Sequence, residues 1–154
     1  MTVKKKIIIL VILPLCCQLV VALLCGAYIH SYVHYSLTAV TKDTTPEEII
    51  KLYFQAYNSH NILLYNTVVS NELKMPISSF FDRRAKLKLI EITEIKQWNT
   101  DDEYYENILY DVTFIVTKKG EFDDYKVGET YTHNFSLAKQ TEDSKWMIIG
   151  YGTG

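Results

Sequence analysis

The chain has 154 residues, of which 48% are apolar and 22% charged, and its formal net charge is −2. That length supports at most one modest globular domain beside any separate segment. No charged residue occurs between positions 7 and 41, so the chain consists of two dissimilar parts. The later part holds all 18 acidic and 13 of the 16 basic residues, a net charge of −5. That sign disfavours nucleic acid as a partner.

The N-terminal part is a basic end followed by a long apolar run. Lys4, Lys5 and Lys6 precede residues 7–29, of which 20 of 23 are apolar. As a helix this run would reach about 34 Å, enough to cross a hydrocarbon core of about 30 Å. We expect residues 1–6 in the cytoplasm and a transmembrane anchor at 7–29 in the cell membrane, because basic flanks stay inside.

Beyond the anchor we expect a juxtamembrane tether at 30–44 and an extracytoplasmic domain at 45–154. A cleavable secretory signal is the alternative interpretation of the N-terminus. The apolar run is longer than the usual 7 to 15 residues of a signal peptide, and no Ala-x-Ala-like cleavage site follows, so an uncleaved anchor is favoured. All three cysteines lie within the run. The exported domain therefore has no disulfide or thiolate metal site, and we expect no metal and no cofactor.

The domain opens with a strong helix signal. Thr45 suits the N-cap, Pro46 the first helical position, and Glu48 completes a capping box. Residues 58–61 should end this helix, and residues 62–69 are apolar enough for a short second one. The side chains expected to form the buried stripe of the first helix recur at helical spacing: Ile49, Leu52, Tyr53, Ala56 and Tyr57.

After Arg84 the apolar period changes from near 3.6 to 2, which indicates strands. Four are predicted, at Leu87–Gln97, Tyr104–Lys118, Glu129–Lys139 and Lys145–Tyr151. The apolar residues of the first change parity halfway, which predicts a bulge or a sharp bend. Helices followed by a meander of one-sided strands predict an α+β domain, with a curved antiparallel sheet wrapped around the opening helix.

Three segments carry a family resemblance: residues 45–48 (TPEE), residues 53–58 (YFQAYN) and residues 145–152 (KWMIIGYG). They resemble the nuclear transport factor 2-like, or cystatin-like cone, superfamily, and particularly small membrane-anchored exported domains of Gram-positive bacteria. The resemblance spans about residues 45–152. It implies a cone-like sheet closed by one long and one or two short helices, whose concave face often holds a pocket and whose open face often pairs in a homodimer.

The enzymes of this superfamily place a carboxylate or histidine base and a tyrosine or acid donor in that pocket. The catalytic candidates here are His133, Asp111 and Tyr110. The ligand-binding candidates are Tyr53, Tyr57, Tyr131 and His133. None of them matches a defined catalytic motif. His133 could act as a general base beside a tyrosine hydroxyl, or it could be a half-buried histidine hydrogen-bonded to a tyrosine or to the backbone.

Asp111 falls on the polar parity of its strand, so it is a surface acid if that parity faces solvent. Two acidic clusters, at 101–103 and 121–124, lie beside turns. They lack the spaced oxygens and turn glycine of a calcium loop, which favours solvated loops.

Three functional hypotheses follow. The favoured one is a membrane-anchored extracytoplasmic domain that binds a ligand or partner, such as a second copy or an envelope protein, without catalysis. The first alternative is a structural scaffold subunit of a conjugation or secretion-type envelope complex. The second is a small isomerase or dehydratase that uses His133 or Asp111 with a tyrosine.

Overall fold

A computed structural model describes residues 3–76, 85–97, 104–120 and 125–153, with the backbone alone at 3–15 and 96–97. The chain divides into two compact units, Met1–Tyr35 and Ser36–Gly154. The acidic clusters at 101–103 and 121–124 lie outside the described residues. The predicted boundaries of anchor, tether and domain stay predictions.

The first unit is helical. Helix α1 spans Val3–Thr38, so it continues through most of the segment predicted as a tether. Within it, Cys16–Thr38 is long and apolar enough to cross a membrane. Large apolar side chains such as Leu19, Leu23 and Leu24 are exposed on this helix.

Helix α2, Pro46–Ser59, begins and ends where the sequence predicts. The Thr45 hydroxyl accepts a hydrogen bond from the Glu48 N–H at 3.3 Å, and the Thr45 N–H donates to the Glu48 carboxylate at 2.9 Å. The helix stops at His60, whose φ of 54° is left-handed. The predicted capping box is therefore confirmed.

Helix α3, Ile62–Val68, is the predicted short second helix. Its N-cap is Asn61, which accepts a hydrogen bond from the Leu64 N–H at 3.0 Å. The Asn61 amide also donates to the Ser36 hydroxyl at 2.8 Å, and both side chains are buried. A single 3-10 turn follows at Asn71–Leu73.

Four antiparallel strands follow in sequence order, β1 Lys86–Gln97, β2 Glu106–Lys118, β3 Thr130–Lys139 and β4 Met147–Gly152. The predicted α+β class is confirmed. The register of β1 against β2 shifts between Leu89 and Glu91, which leaves Ile90 as an extra residue at the predicted change of parity. Two further shifts, between Lys86 and Leu87 and between Glu94 and Lys96, have no sequence signal.

The sheet has two unlike faces. We call the face that packs against α2 the inner face. Its side chains on the central strands are Ile108, Tyr110, Val112, Phe114 and Val116 of β2 and Tyr131, His133, Phe135 and Leu137 of β3. The outer face carries the alternate residues of the same strands, and these are half-buried or exposed apart from Ala138. The one-sided burial predicted for β2 and β3 is therefore confirmed.

The free edge of β1 is closed at its start by a side chain of α2. The Asn58 amide donates to the Leu87 carbonyl at 2.7 Å, and the Leu87 N–H donates to the Asn58 carbonyl oxygen at 2.8 Å. Asn58 thus takes the place of a neighbouring strand at this residue, which ties the end of α2 to the sheet.

The capping box gives a direct test of how α2 begins. Thr45→Ala removes the acceptor for the Glu48 N–H and should lower the free energy of unfolding by about 1 kcal/mol. Thr45→Ser keeps the hydroxyl and serves as the matched control. Urea unfolding of the full chain in detergent, monitored by tryptophan fluorescence, measures the free energy of unfolding of both variants. Equal stabilities for Thr45→Ala and wild type would contradict this assignment.

Candidate functional site

His133 lies on the inner face of β3 among aromatic rings, and only 7% of it is exposed. It meets Phe114 edge-on, with ring centroids 5.2 Å apart, and Tyr125 at 5.7 Å. Its Nε2 is 3.4 Å from the Tyr125 hydroxyl. The structure therefore brings a histidine and a tyrosine hydroxyl together. This contact is expected if His133 is a general base, and it is equally expected if His133 is a buried, hydrogen-bonded histidine without a catalytic role.

Burial lowers the pKa of His133, because the charged imidazolium loses its hydration in this aromatic setting. A neutral imidazole can accept a proton at Nε2 or hold a hydrogen bond to Tyr125, depending on its tautomer. The geometry is compatible with either use, so catalysis by His133 stays a prediction.

Tyr131 lies next to His133 in the ring cluster but turns its hydroxyl toward the turn that precedes β3. The hydroxyl accepts a hydrogen bond from the Lys126 N–H at 2.8 Å and donates to the Glu129 carboxylate at 2.9 Å. Lys126 and Glu129 also form an exposed ion pair of 3.4 Å. The polar end of Tyr131 therefore fastens the turn that leads into β3.

The other predicted ligand-binding tyrosines belong to a second ring cluster. Tyr53 packs against Tyr65 and Tyr151 with centroid distances of 5.4 Å each, and against Tyr57 at 6.4 Å. Burial, and then the neighbouring Tyr151 and Tyr65, raise the pKa of Tyr53 well above its usual range. The hydroxyls of Tyr65 and Tyr151 are 3.2 Å apart. The phenol of Tyr53 therefore stays neutral, and the hydrogen-bonded pair of Tyr65 and Tyr151 lies beside it.

The hydrogen-bond partner of Tyr110 lies in neither ring cluster. Its hydroxyl donates to the Glu47 carboxylate at 2.9 Å. Burial, followed by this hydrogen bond, raises the pKa of Tyr110. Burial alone would raise the pKa of Glu47, but hydrogen bonds from its own backbone and from Tyr110 lower it overall. The pair joins the first turn of α2 to β2.

Asp111 lies on the outer face, with Thr93 and Asn134 beside it on the neighbouring strands. Because side chains alternate along a strand, Asp111 points away from the face that carries Tyr110 and His133. Asp111 and the inner-face tyrosines therefore do not share one pocket.

The partners of these side chains were not among the sequence candidates. Tyr125 lies outside the regular strands, where no periodicity predicts burial, and Glu47 enters the sequence analysis only within the segment 45–48. Phe54, the link between the two ring clusters, contacts Phe114 at 5.5 Å and Tyr53 at 5.6 Å. It was absent from the predicted stripe, although it lies one residue after Tyr53.

An open groove of about 400 Å³ lies on the other side of α2. Its floor is mixed, with apolar, hydroxyl and charged groups. The lining residues are Ala39, Thr44, Glu48, Lys51, Leu52 and Gln55. No sequence candidate for ligand binding lies there.

Comparison with known proteins gives little resemblance. No family model matches the chain, and no curated protein matches it. Among solved structures, the chain is similar to a SEC-C motif-containing protein from Rhodopseudomonas palustris, with 8% identity and a TM-score of 0.47. The match covers 80% of this chain and 90% of that one.

The burial of His133 predicts a pH dependence of stability. In the unfolded chain the histidine takes up a proton near its ordinary pKa of 6.5, whereas the folded chain resists protonation to lower pH. The free energy of unfolding should therefore fall as pH decreases below about 6.5.

Unfolding by urea at pH 7.5 and at pH 5.5 measures this effect. His133→Gln should reduce the loss of stability between the two pH values, because it removes the group that titrates. His34→Gln, at an exposed position on α1, is the control and should keep the full loss. An unchanged pH dependence in His133→Gln would contradict the assignment.

Proposed function

We propose that the protein is a single-pass membrane protein whose N-terminus is in the cytoplasm and whose domain, residues 45–154, lies outside. The helix Cys16–Thr38, long and apolar enough to span, supports the anchor. The three N-terminal lysines support the orientation. The domain is proposed to bind a protein partner or ligand without catalysis, as the sequence favours.

The arrangement of α2 supports a cone-like domain of the nuclear transport factor 2-like superfamily. One long helix packs on the inner face of four antiparallel strands, and bulges in β1 add local twist to the sheet. These features agree with the sheet that the resemblance implies.

One observation carries the binding function. The polar groups on the inner face pair with other side chains of the domain: His133 with Tyr125, Tyr110 with Glu47, and Tyr65 with Tyr151. His133, Tyr110 and Tyr65 are buried as well as hydrogen-bonded, which supports a core role for the inner face. The binding site is therefore proposed on the surface of the domain.

The outer face is the surface best suited to a protein partner. Two of its side chains, Thr113 and Thr132, are 3.0 Å apart at their hydroxyls. Leu109 and Ile115 add half-buried apolar area on the same face. A broad face of small hydroxyls and aliphatic groups suits a protein partner, either a second copy or an envelope protein.

Site-specific photo-crosslinking in intact cells tests this proposal. A photoreactive amino acid at Thr132 should yield a defined protein adduct, because that side chain is exposed on the outer face, opposite Thr113 of β2. The matched control is Gln55, exposed on the other side of α2. Adducts from Gln55 alone would indicate that the partner binds at the groove. The absence of an adduct from Thr132 would contradict the proposal that the outer face binds the partner.

A further inference from the structure

The last turn of α1 is a packed part of the domain. Although α1 is one unbroken helix, Val3–Thr38, the second compact unit begins within it, at Ser36. Ser36 is fully buried, and Val40, just after the helix, belongs to the hydrophobic core. Ser31, earlier on the same helix, is exposed. The end of α1 therefore has a structural role in the domain as well as leading into it.

Asn61 joins this turn of α1 to the two helices that follow. Its side-chain amide donates to the Ser36 hydroxyl at 2.8 Å, and that hydroxyl donates to the Asn61 carbonyl oxygen at 3.1 Å. The same oxygen accepts the Leu64 N–H at 3.0 Å, which caps α3. The Asn61 backbone N–H donates to the Ala56 carbonyl of α2 at 2.9 Å. Three helices therefore meet at one buried residue.

The corner between α2 and α3 carries a conformational cost. His60, immediately before Asn61, has a left-handed φ of 54°, at the position where helices usually have glycine. A residue with a Cβ is disfavoured in that conformation. The Nδ1 atom of His60 is also buried, and it has no hydrogen-bond partner in the described part of the chain. Such features persist only where surrounding contacts hold them, and the bonds between Ser36 and Asn61 are contacts of that kind.

Helix α3 and the residues after it cover part of the edge of β4, the last strand of the sheet. The Ser70 N–H donates to the Ile148 carbonyl at 2.8 Å, and Val69 forms a parallel bridge with the same residue. The hydroxyls of Tyr65 on α3 and Tyr151 on β4 are 3.2 Å apart. An open strand edge can pair with other chains, so these contacts shield a reactive part of the sheet.

We propose that Ser36 is a latch: the last turn of α1 holds the corner at His60 closed and thereby keeps α3 and Ser70 on the edge of β4. When this turn unwinds, Asn61 loses its bonds to Ser36, His60 returns to an ordinary backbone conformation, and the edge of β4 opens. The latch goes beyond the proposed function, because its contacts lie within the second unit and do not require membrane insertion. Since α1 is also the proposed anchor, the latch lets a change at the anchor reach the sheet.

Hydrogen–deuterium exchange of the full chain in detergent, measured by mass spectrometry, tests the latch. Ser36→Ala leaves the buried Asn61 amide without its partner and should raise the exchange rate of the α3 and Ser70 amides about tenfold. Ser31→Ala, at an exposed position on the same helix, is the matched control and should exchange as the wild type does. Exchange in β2 and β3 should change in neither variant.

Two further variants test the helical turn and the corner separately. Leu37→Gly weakens the last turn of α1 and keeps the Ser36 hydroxyl, so it should also raise exchange in α3. Leu37→Ala, at the same exposed position, should not. Adding His60→Gly to Ser36→Ala should restore protection, because glycine adopts the left-handed conformation without steric cost.

Three results would overturn the proposal. One is equal exchange of α3 in Ser36→Ala and Ser31→Ala. Another is an increase of equal size in α3, β2 and β3, because it would show a loss of global stability and not the release of one edge. The third is a double variant, Ser36→Ala with His60→Gly, that exchanges as fast as Ser36→Ala alone, since the corner would then carry no cost for the latch to offset.

Discussion

Tyr53 and Phe54 place one face of α2 across the sheet, where Phe54 meets Phe114 of β2 and Tyr53 meets both Phe135 of β3 and Tyr151 of β4. One helix therefore holds three strands through aromatic contacts, which bury a large apolar area per residue. The described part of the domain contains no cysteine, so its folding relies on this packing. The capping box at Thr45 and the Asn58 contact with β1 fix where the helix begins and ends relative to that core.

The same packing explains why the inner face is a core. Its hydroxyl and imidazole groups are in pairs, and the burial of His133 and Tyr53 favours their neutral forms. The outer face and the groove beside α2 lie on the surface of the domain.

The sequence predicted most of the secondary structure because its local signals are strong. The cap of α2, the alternation of β2 and β3, and the change of parity at Ile90 each have a local physical cause. The pairing of His133 with Tyr125, and of Tyr110 with Glu47, could not be predicted from spacing. These contacts join residues from different elements, and they depend on how the helix lies on the sheet. The two tyrosine groups, predicted as one set of ligand-binding residues, separate because Tyr53 of α2 packs against Phe135 and Tyr151, whereas Tyr131 of β3 packs against Phe114.

The orientation of the chain in the membrane is the claim on which the proposed function most depends. Labelling of intact cells with a membrane-impermeant maleimide tests it, using Thr153→Cys at an exposed position after β4 and Thr2→Cys before α1. The wild type serves as the background, since its three cysteines all lie in α1. We predict that Thr153→Cys is labelled in intact cells and that Thr2→Cys is labelled only after permeabilisation. Labelling of Thr2→Cys alone in intact cells, or a mature chain that has lost its N-terminus, would contradict an uncleaved anchor with an external domain.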